Sequence, residues 1–363
     1  MSLSRSARAI SSALFLTLAA VSGCVRLPEL GNLSYLAPRE RRGSILSSID
    51  PTRPRLALNE LQLKGSHNSY HRAPRFALSR TWRYSHSPLE VQLASQGVRQ
   101  LELDVRYTGG ELRVNHLPMV DGRSSCSRLA DCLGRIKKWS RQNPAHLPVF
   151  VFIEVKEDLA PSSLDGKLDA IDFAITRQFS RDMLLMPEDV VGDSPSLRQA
   201  IVERGWPSVA DTRGRIAFVM FGPVRHKRAY TKGRPRLDGR VMFVAERETS
   251  ALHTSVVFYD DPISMRQEIA AAVKQHFLVR TRADEDLHRS TRRRDAALAS
   301  GANFISSDYV DPRHNWVELS GSAAARCNPL SASADCTSLA LSEGLQPALA
   351  EVATPGPKPM VTQ

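Results

Sequence analysis

After its first two dozen residues the chain has no apolar run near the roughly 20 residues that a membrane-spanning helix needs. Cysteine is scarce, five in 363 residues, and none is spaced as CxxC, which argues against a zinc cluster. Glycine-rich phosphate fingerprints of the GxGxxG or GxxxxGK[ST] type are missing, which disfavours a dinucleotide or nucleoside triphosphate fold. Aromatic residues make up 6% and do not interleave with the basic runs, so stacking on nucleic acid has no support. Acids are outnumbered, 38 against 49 Lys and Arg, for a net charge of +11. That excess suits anionic surfaces such as phospholipid headgroups, and equally a merely soluble protein.

Arg5 and Arg8 precede an apolar stretch over 13–21, then Val21-Ser22-Gly23-Cys24. This is too short for a span and has the layout of an export signal whose end resembles a bacterial lipobox. The expectation is a signal peptide over 1–23 and a lipid-bearing Cys24 on an exported chain, anchored to a bacterial membrane at the periplasmic or cell surface. An ordinary signal cut, with Cys24 incidental, would instead give a secreted protein. In such an oxidising compartment the close pairs Cys126/Cys132 and Cys327/Cys336 are expected as two local disulfides.

Residues 24–55, rich in Pro, Ser and Arg, are expected to be a flexible tether. Apolar and β-branched runs then recur at 61–64, 98–106, 112–116, 149–156, 215–220, 241–245, 277–282 and 304–308, with amphipathic segments at 88–96, 129–141, 164–181, 263–276 and 291–300. Strand alternating with helix implies a parallel sheet, and eight candidate strands favour a closed TIM-type (β/α)8 barrel over 56–312. The stretches after 112 and 215 lack clear helical patterns. A disulfide-containing extension is expected over 313–345 and a disordered, Pro-rich tail over 346–363.

In such a barrel the functional residues sit at the C-terminal strand ends. His67 and Asn68 follow the first expected strand, Glu102 and Asp104 lie near the end of the second, His116 ends the third, and Glu154 and Lys156 end the fourth. Glu102 and Asp104 are two apart and so share a face, as a common metal ion requires; Glu154 and Lys156 do likewise. If that charged face looks into the barrel, its carboxylates need a cation to offset desolvation. An amide with three acids is a hard oxygen set suited to Ca2+, and two histidines can pass one proton in and another out. Each residue alone has a plainer explanation as a core histidine, a solvated face or a salt bridge; together, at successive strand ends, they indicate metal-assisted phosphodiester chemistry.

Lys-Gly-Ser-His-Asn-Ser-Tyr-His at 64–71, Leu-Glu-Leu-Asp-Val-Arg at 101–106, His116, Val-Arg-Thr-Arg-Ala-Asp at 279–284 and Ser-Gly-Ala-Asn-Phe-Ile-Ser-Ser-Asp-Tyr at 300–309 resemble the calcium-dependent phosphoinositide-specific phospholipase C family of bacteria and fungi. The resemblance covers about residues 60–310. It implies a phosphatidylinositol-specific phospholipase C-like barrel in which His67 and His116 form the acid/base pair and Asn68, Glu102, Asp104 and Glu154 hold calcium. One histidine, assigned as His67, would take the proton of the inositol 2-hydroxyl as it attacks phosphorus; His116 would protonate the departing diacylglycerol oxygen. The products would be diacylglycerol and a cyclic inositol phosphate. Lys156 and Arg282 are candidate phosphate neutralisers or structural ion pairs, and Asp308 would orient a group or cap the last strand. The nearest alternative is a glycerophosphodiester phosphodiesterase on the same barrel, although His67-Asn68-Ser69 stands where that family has His-Arg-Gly. A sphingomyelinase-D-like transferase and a non-catalytic lipoprotein that binds anionic lipid are more distant ones. Headgroup preference and oligomeric state are open at this stage.

Overall fold

The computed structural model describes residues 56–157, 164–314, 316–319 and 324–343. The export signal, Cys24, the tether and the terminal tail lie outside them.

The strands in chain order are β1 (Leu61–Ser66), β2 (Val98–Thr108), β3 (Glu111–Val114), β4 (Val149–Val155), β5 (Leu184–Leu185), β6 (Ile216–Phe221), β7 (Phe243–Glu246), β8 (Val256–Phe258), β9 (Leu278–Arg282), β10 (Phe304–Ser307) and β11 (Ala325–Cys327). Eight of them pair in parallel as β1-β2-β4-β6-β7-β8-β9-β10, and β10 pairs back onto β1, so the sheet closes. The helices are α1 (Leu89–Ser95), α2 (Leu129–Gln142), α3 (Leu164–Gln178), α4 (Pro187–Val191), α5 (Leu197–Arg204), α6 (Val209–Thr212), α7 (Val224–Thr231), α8 (Arg266–Lys274), α9 (Thr291–Ala299) and α10 (Ser338–Leu341). Helices α1 to α9 lie in the crossovers between barrel strands, α3 to α6 all between β4 and β6; the β7–β8 connection has none.

Three elements differ from expectation. Residues 112–116 are not the third barrel strand. Gly109 and Gly110, both at positive φ, turn the chain back so that β3 runs antiparallel along the end of β2. The eighth parallel strand is instead β8, three residues long and preceded by turns, too short to announce itself by alternation. Helix α7 also fills the connection after β6 where no helix was expected; its first turn is Val-Arg-His-Lys and its exposed face is basic.

The barrel interior changes character from bottom to top. Gln100, Glu102 and Asp104 of β2 sit beside Phe150, Phe152 and Glu154 of β4 in register, and alternation puts all six on the inward face. Phe150 and Phe152 pack on Phe304 at ring distances of 4.8 and 5.1 Å, and Phe152 on Phe258 at 5.1 Å, forming an aromatic floor. One layer above, the same rows carry carboxylates. The alternate residues Leu101, Leu103 and Val105 are fully buried under the outer helices. A side chain at Gly65 would displace Gln100, since a Cβ there would meet Gln100 Oε1 at 1.9 Å.

The described residues 324–343 pack on the barrel. Strand β11 pairs antiparallel with β1, and Glu343 forms an ion pair with Arg99 at the start of β2. Cys126–Cys132 and Cys327–Cys336 are disulfides. Among the described residues no helix is long and apolar enough to cross a membrane.

Candidate active site

The chain leaves β1 through a left-handed residue, Asn68 at φ 45°, a conformation that Asn tolerates better than most side chains. The turn is tied to β2 from both sides. Ser69 N donates to the Glu102 carbonyl at 3.0 Å, and Glu102 N donates to Ser69 Oγ at 2.7 Å. These bonds set His67 and Asn68 above the acidic layer. His67 Nδ1 stands 2.7 Å from Asp308 Oδ1, just past the end of β10, and Nε2 is 3.7 Å from Glu102 Oε1. The His67 carbonyl accepts from His86 Nε2 at 2.8 Å, which holds the ring's backbone in place.

Glu102, Asp104 and Glu154 each bring a carboxylate oxygen within 4.8 Å of one another. Asp104 is fully buried, and neither of its oxygens accepts a well-aligned hydrogen bond. Lys156 Nζ contacts it as an ion pair at 3.0 Å and reaches Glu154 at 2.8 Å. Burial first, and then the charge of Glu154, pushes the Asp104 carboxyl up to about 7. Burial would lower Lys156, but Asp104 and Glu154 outweigh it and its ammonium is held above the usual lysine range. Asn68 is buried beside this group, its Oδ1 3.4 Å from Tyr70 Oη. A cluster of three acids with a buried carboxylate lacking aligned donors fits a hard divalent cation.

Arg282, expected near phosphate, lies against Asp308 at 3.0 Å. Burial alone would raise Asp308; His67 and Arg282 outweigh it and keep the carboxyl well below the ordinary range. Asp308 is thus an orienting group for His67 as well as the strand end.

His116 reaches the mouth by a different route from the one expected. It follows the β2–β3 hairpin, which folds back so that Asn115 N donates to the Asp104 carbonyl at 3.2 Å. Arg106 Nη2 donates to the His116 carbonyl at 3.0 Å. The ring's Nδ1 is 2.8 Å from Asp121 Oδ2, and its edge faces Trp82 at 6.5 Å. All six principal residues therefore gather at the C-terminal end of the barrel.

Sequence reasoning missed three contributors. Arg280 Nη2 donates to Glu102 Oε2 at 2.8 Å and its Nη1 pairs with Asp260. The spacing of Arg280 and Arg282 put both on one face, so this signal was present. Arg106 was legible only as part of an alternating strand. Asp121 lies in a turn with no periodic pattern, and nothing in the sequence pointed to it.

Residues 56–112 and 106–329 match the model of the family described as phosphoinositide phospholipase C, Ca2+-dependent. The chain belongs to that family. Its members are phosphoinositide phospholipase C enzymes. The fold is shared with a Ca2+-dependent phosphatidylinositol-specific phospholipase C from Streptomyces antibioticus, at 19% identity and TM-score 0.56 over 72% of this chain and 97% of that one. It is shared too with a calcium-dependent phosphoinositol-specific phospholipase C from a Pseudomonas species in apo form, at 18% identity and TM-score 0.54 over 72% and 93%, and with that enzyme's myoinositol complex at 18% and 0.53 over the same shares. No curated protein sequence matches the chain.

Proposed function

We propose that this phospholipase C-family chain cleaves the glycerol–phosphate bond of phosphatidylinositol-type lipids with Ca2+ held by Asn68, Glu102, Asp104 and Glu154. The observation that carries the reading is the packing of three inward carboxylates beside a histidine whose Nδ1 is held by a buried aspartate. When bound, calcium supplies positive charge to phosphoryl oxygens and acidifies a neighbouring hydroxyl.

The chain's own residues supply the proton transfers. With Nδ1–H committed to Asp308, His67 presents Nε2 as an acceptor and takes the proton of the inositol 2-hydroxyl as that oxygen attacks phosphorus. His116 gives a proton to the diacylglycerol oxygen as its bond to phosphorus breaks. The products are diacylglycerol and a cyclic inositol phosphate. Lys156 shields Asp104 and Glu154 and would offset charge on the phosphoryl group, and Arg280 neutralises Glu102.

A membrane surface as partner is supported by the rim. Phe76 and Leu78 are 86% and 77% exposed and Met119 is 99% exposed, on the two loops that flank His116. Those loops are joined where Arg123 Nη1 donates to the Ala73 carbonyl at 2.8 Å. Export and lipidation at Cys24 remain part of the proposal; loss of palmitate labelling in Cys24→Ala checks them. The main experiment measures water-soluble inositol phosphate released from phosphatidylinositol vesicles. Chelator, His67→Ala and His116→Ala should each abolish release, and release untouched by all three refutes the reading.

A further inference from the structure

Asp121 is fully buried and carries two histidines. Its Oδ2 faces His116 Nδ1 at 2.8 Å, while its Oδ1 and Oδ2 lie 2.9 and 3.1 Å from His71 Nε2. The Asp121 main chain is pinned, since Leu117 N donates to the Asp121 carbonyl at 3.1 Å and Asp121 N returns a bond to the Leu117 carbonyl at 2.9 Å. His71 is itself buried and stacks on Tyr84 at 4.2 Å. We propose that Asp121, clamped by His71, is the positioning residue that keeps His116 in its Nδ1–H form and so leaves Nε2 to handle the reaction's proton. The inference rests on the function proposed above.

The proton inventory follows from the acceptors. His71 Nδ1 is 3.0 Å from the Tyr84 carbonyl, which only accepts, so Nδ1 carries a hydrogen. His71 Nε2 against Asp121 then holds one further proton between them, on whichever atom. The remaining Asp121 lone pairs accept from His116 Nδ1–H. With that hydrogen committed, cationic His116 offers Nε2–H to the leaving oxygen. As the phosphorus–oxygen bond breaks, its electron pair takes that proton, and neutral His116 keeps Nδ1–H. Water afterwards returns a proton to Nε2. Nδ1 is unchanged throughout, and the exposed side of the ring is the reactive one.

This arrangement makes an unusual demand on variants. Asp121→Ala removes the acceptor and frees the tautomer. Asp121→Asn should preserve it, because the amide can donate to His71 Nε2 while its oxygen accepts from His116 Nδ1–H, copying a protonated acid.

The test is long-range proton–nitrogen NMR of the 15N-histidine-labelled chain at a pH where the imidazoles are neutral, with the His116 signals assigned by their loss in His116→Ala. It is paired with steady-state release of inositol phosphate. The parent should show His116 protonated at Nδ1. Asp121→Ala should show the Nε2–H form and a kcat lower by about 100-fold or more with KM within a few-fold, and Asp121→Asn should keep the parental tautomer and recover kcat to within about tenfold. An Nε2–H tautomer in the parent overturns the proposal, and needs no Asp121 variant to fold. Equal losses in Asp121→Ala and Asp121→Asn overturn it too, since charge would then matter and not position. If His116→Ala cleaves lipid as fast as the parent, the functional reading falls, while the NMR arm still decides how His116 is held.

Discussion

Asp104 gives the sharpest test of the acidic layer. Its carboxyl is pushed from 3.8 up to about 7 by burial and by Glu154. A folded-state value above the unfolded one means that the native protein binds the proton more tightly. The stability this confers is complete below the unfolded value and is lost as pH rises through the folded one. Roughly three pH units at ~1.4 kcal/mol each put the loss at about 4 kcal/mol near pH 8 in the metal-free protein. A divalent cation binds the carboxylate form and should restore that stability. Asp104→Asn keeps the shape and removes the charge. The shift to about 7 already includes the Lys156 contact, so the variant should be more stable than the parent by roughly 4 kcal/mol in chelator near pH 8. At this chain length that is a melting temperature higher by ~5–10 °C. Near pH 5 the gap should shrink to a few degrees at most. Millimolar Ca2+ should raise the parent's melting temperature and leave the variant's unchanged. Thermal melts at the two pH values, with chelator and with calcium, measure all of this. A variant that melts below the parent by the same amount at both pH values, and still gains from calcium, would refute the argument.

Asp308→Asn should lower kcat by about 10²- to 10⁴-fold with little change in KM, because His67 loses its anionic partner at 2.7 Å, and paired kinetics on vesicles check it. Gly65→Ala should cost ~1–3 kcal/mol in urea unfolding, since its Cβ would meet Gln100 Oε1 at 1.9 Å, and adding Gln100→Ala should recover most of that loss. Phe76→Ser with Met119→Ser should weaken vesicle binding in a flotation assay and slow vesicle hydrolysis, yet leave cleavage of a dispersed short-chain lipid within about twofold.

The site was legible in the sequence where chemistry coincided with period-2 spacing. Glu102 and Asp104, Glu154 and Lys156 share faces because strands alternate, and parallel register then sets Asp104 beside Glu154 without further information. His67 was legible because a strand ends there. His116 was found for the wrong reason: it was read as a strand end, and it arrives through a hairpin that brings it back next to Asp104. Local alternation is the same in a hairpin arm and in a barrel strand, so Leu112 and Val114 could not distinguish them; the pair Gly109-Gly110 could have. Val256–Phe258 was missed because three residues give no period, and its place is set by partners on both sides. Asp308 was legible as a strand end, but its partner His67 lies 241 positions away and that of Arg280 178 away, pairs that only the long-range joining of elements creates, while Asp121 meets His116 across a five-residue turn with no periodic pattern.

The two histidines have unlike carboxylate partners, and the difference bears on which is base and which acid. Asp308 is paired with Arg282, a cation that does not release its proton at any pH where the protein folds, so the carboxylate stays ionised and an acceptor. His67 is consequently held with Nδ1–H and with the Nε2 lone pair available, which is the resting state of a base. Asp121 is paired with His71, whose own proton can lie on either atom of the contact. Asp121 divides its oxygens between two rings, and the one that accepts from His116 Nδ1–H leaves Nε2 as the nitrogen that can hand on a proton. An anionic partner locked by arginine suits the group that must accept a proton from a hydroxyl. On that physical ground His67 is assigned as base and His116 as acid in the proposed reaction.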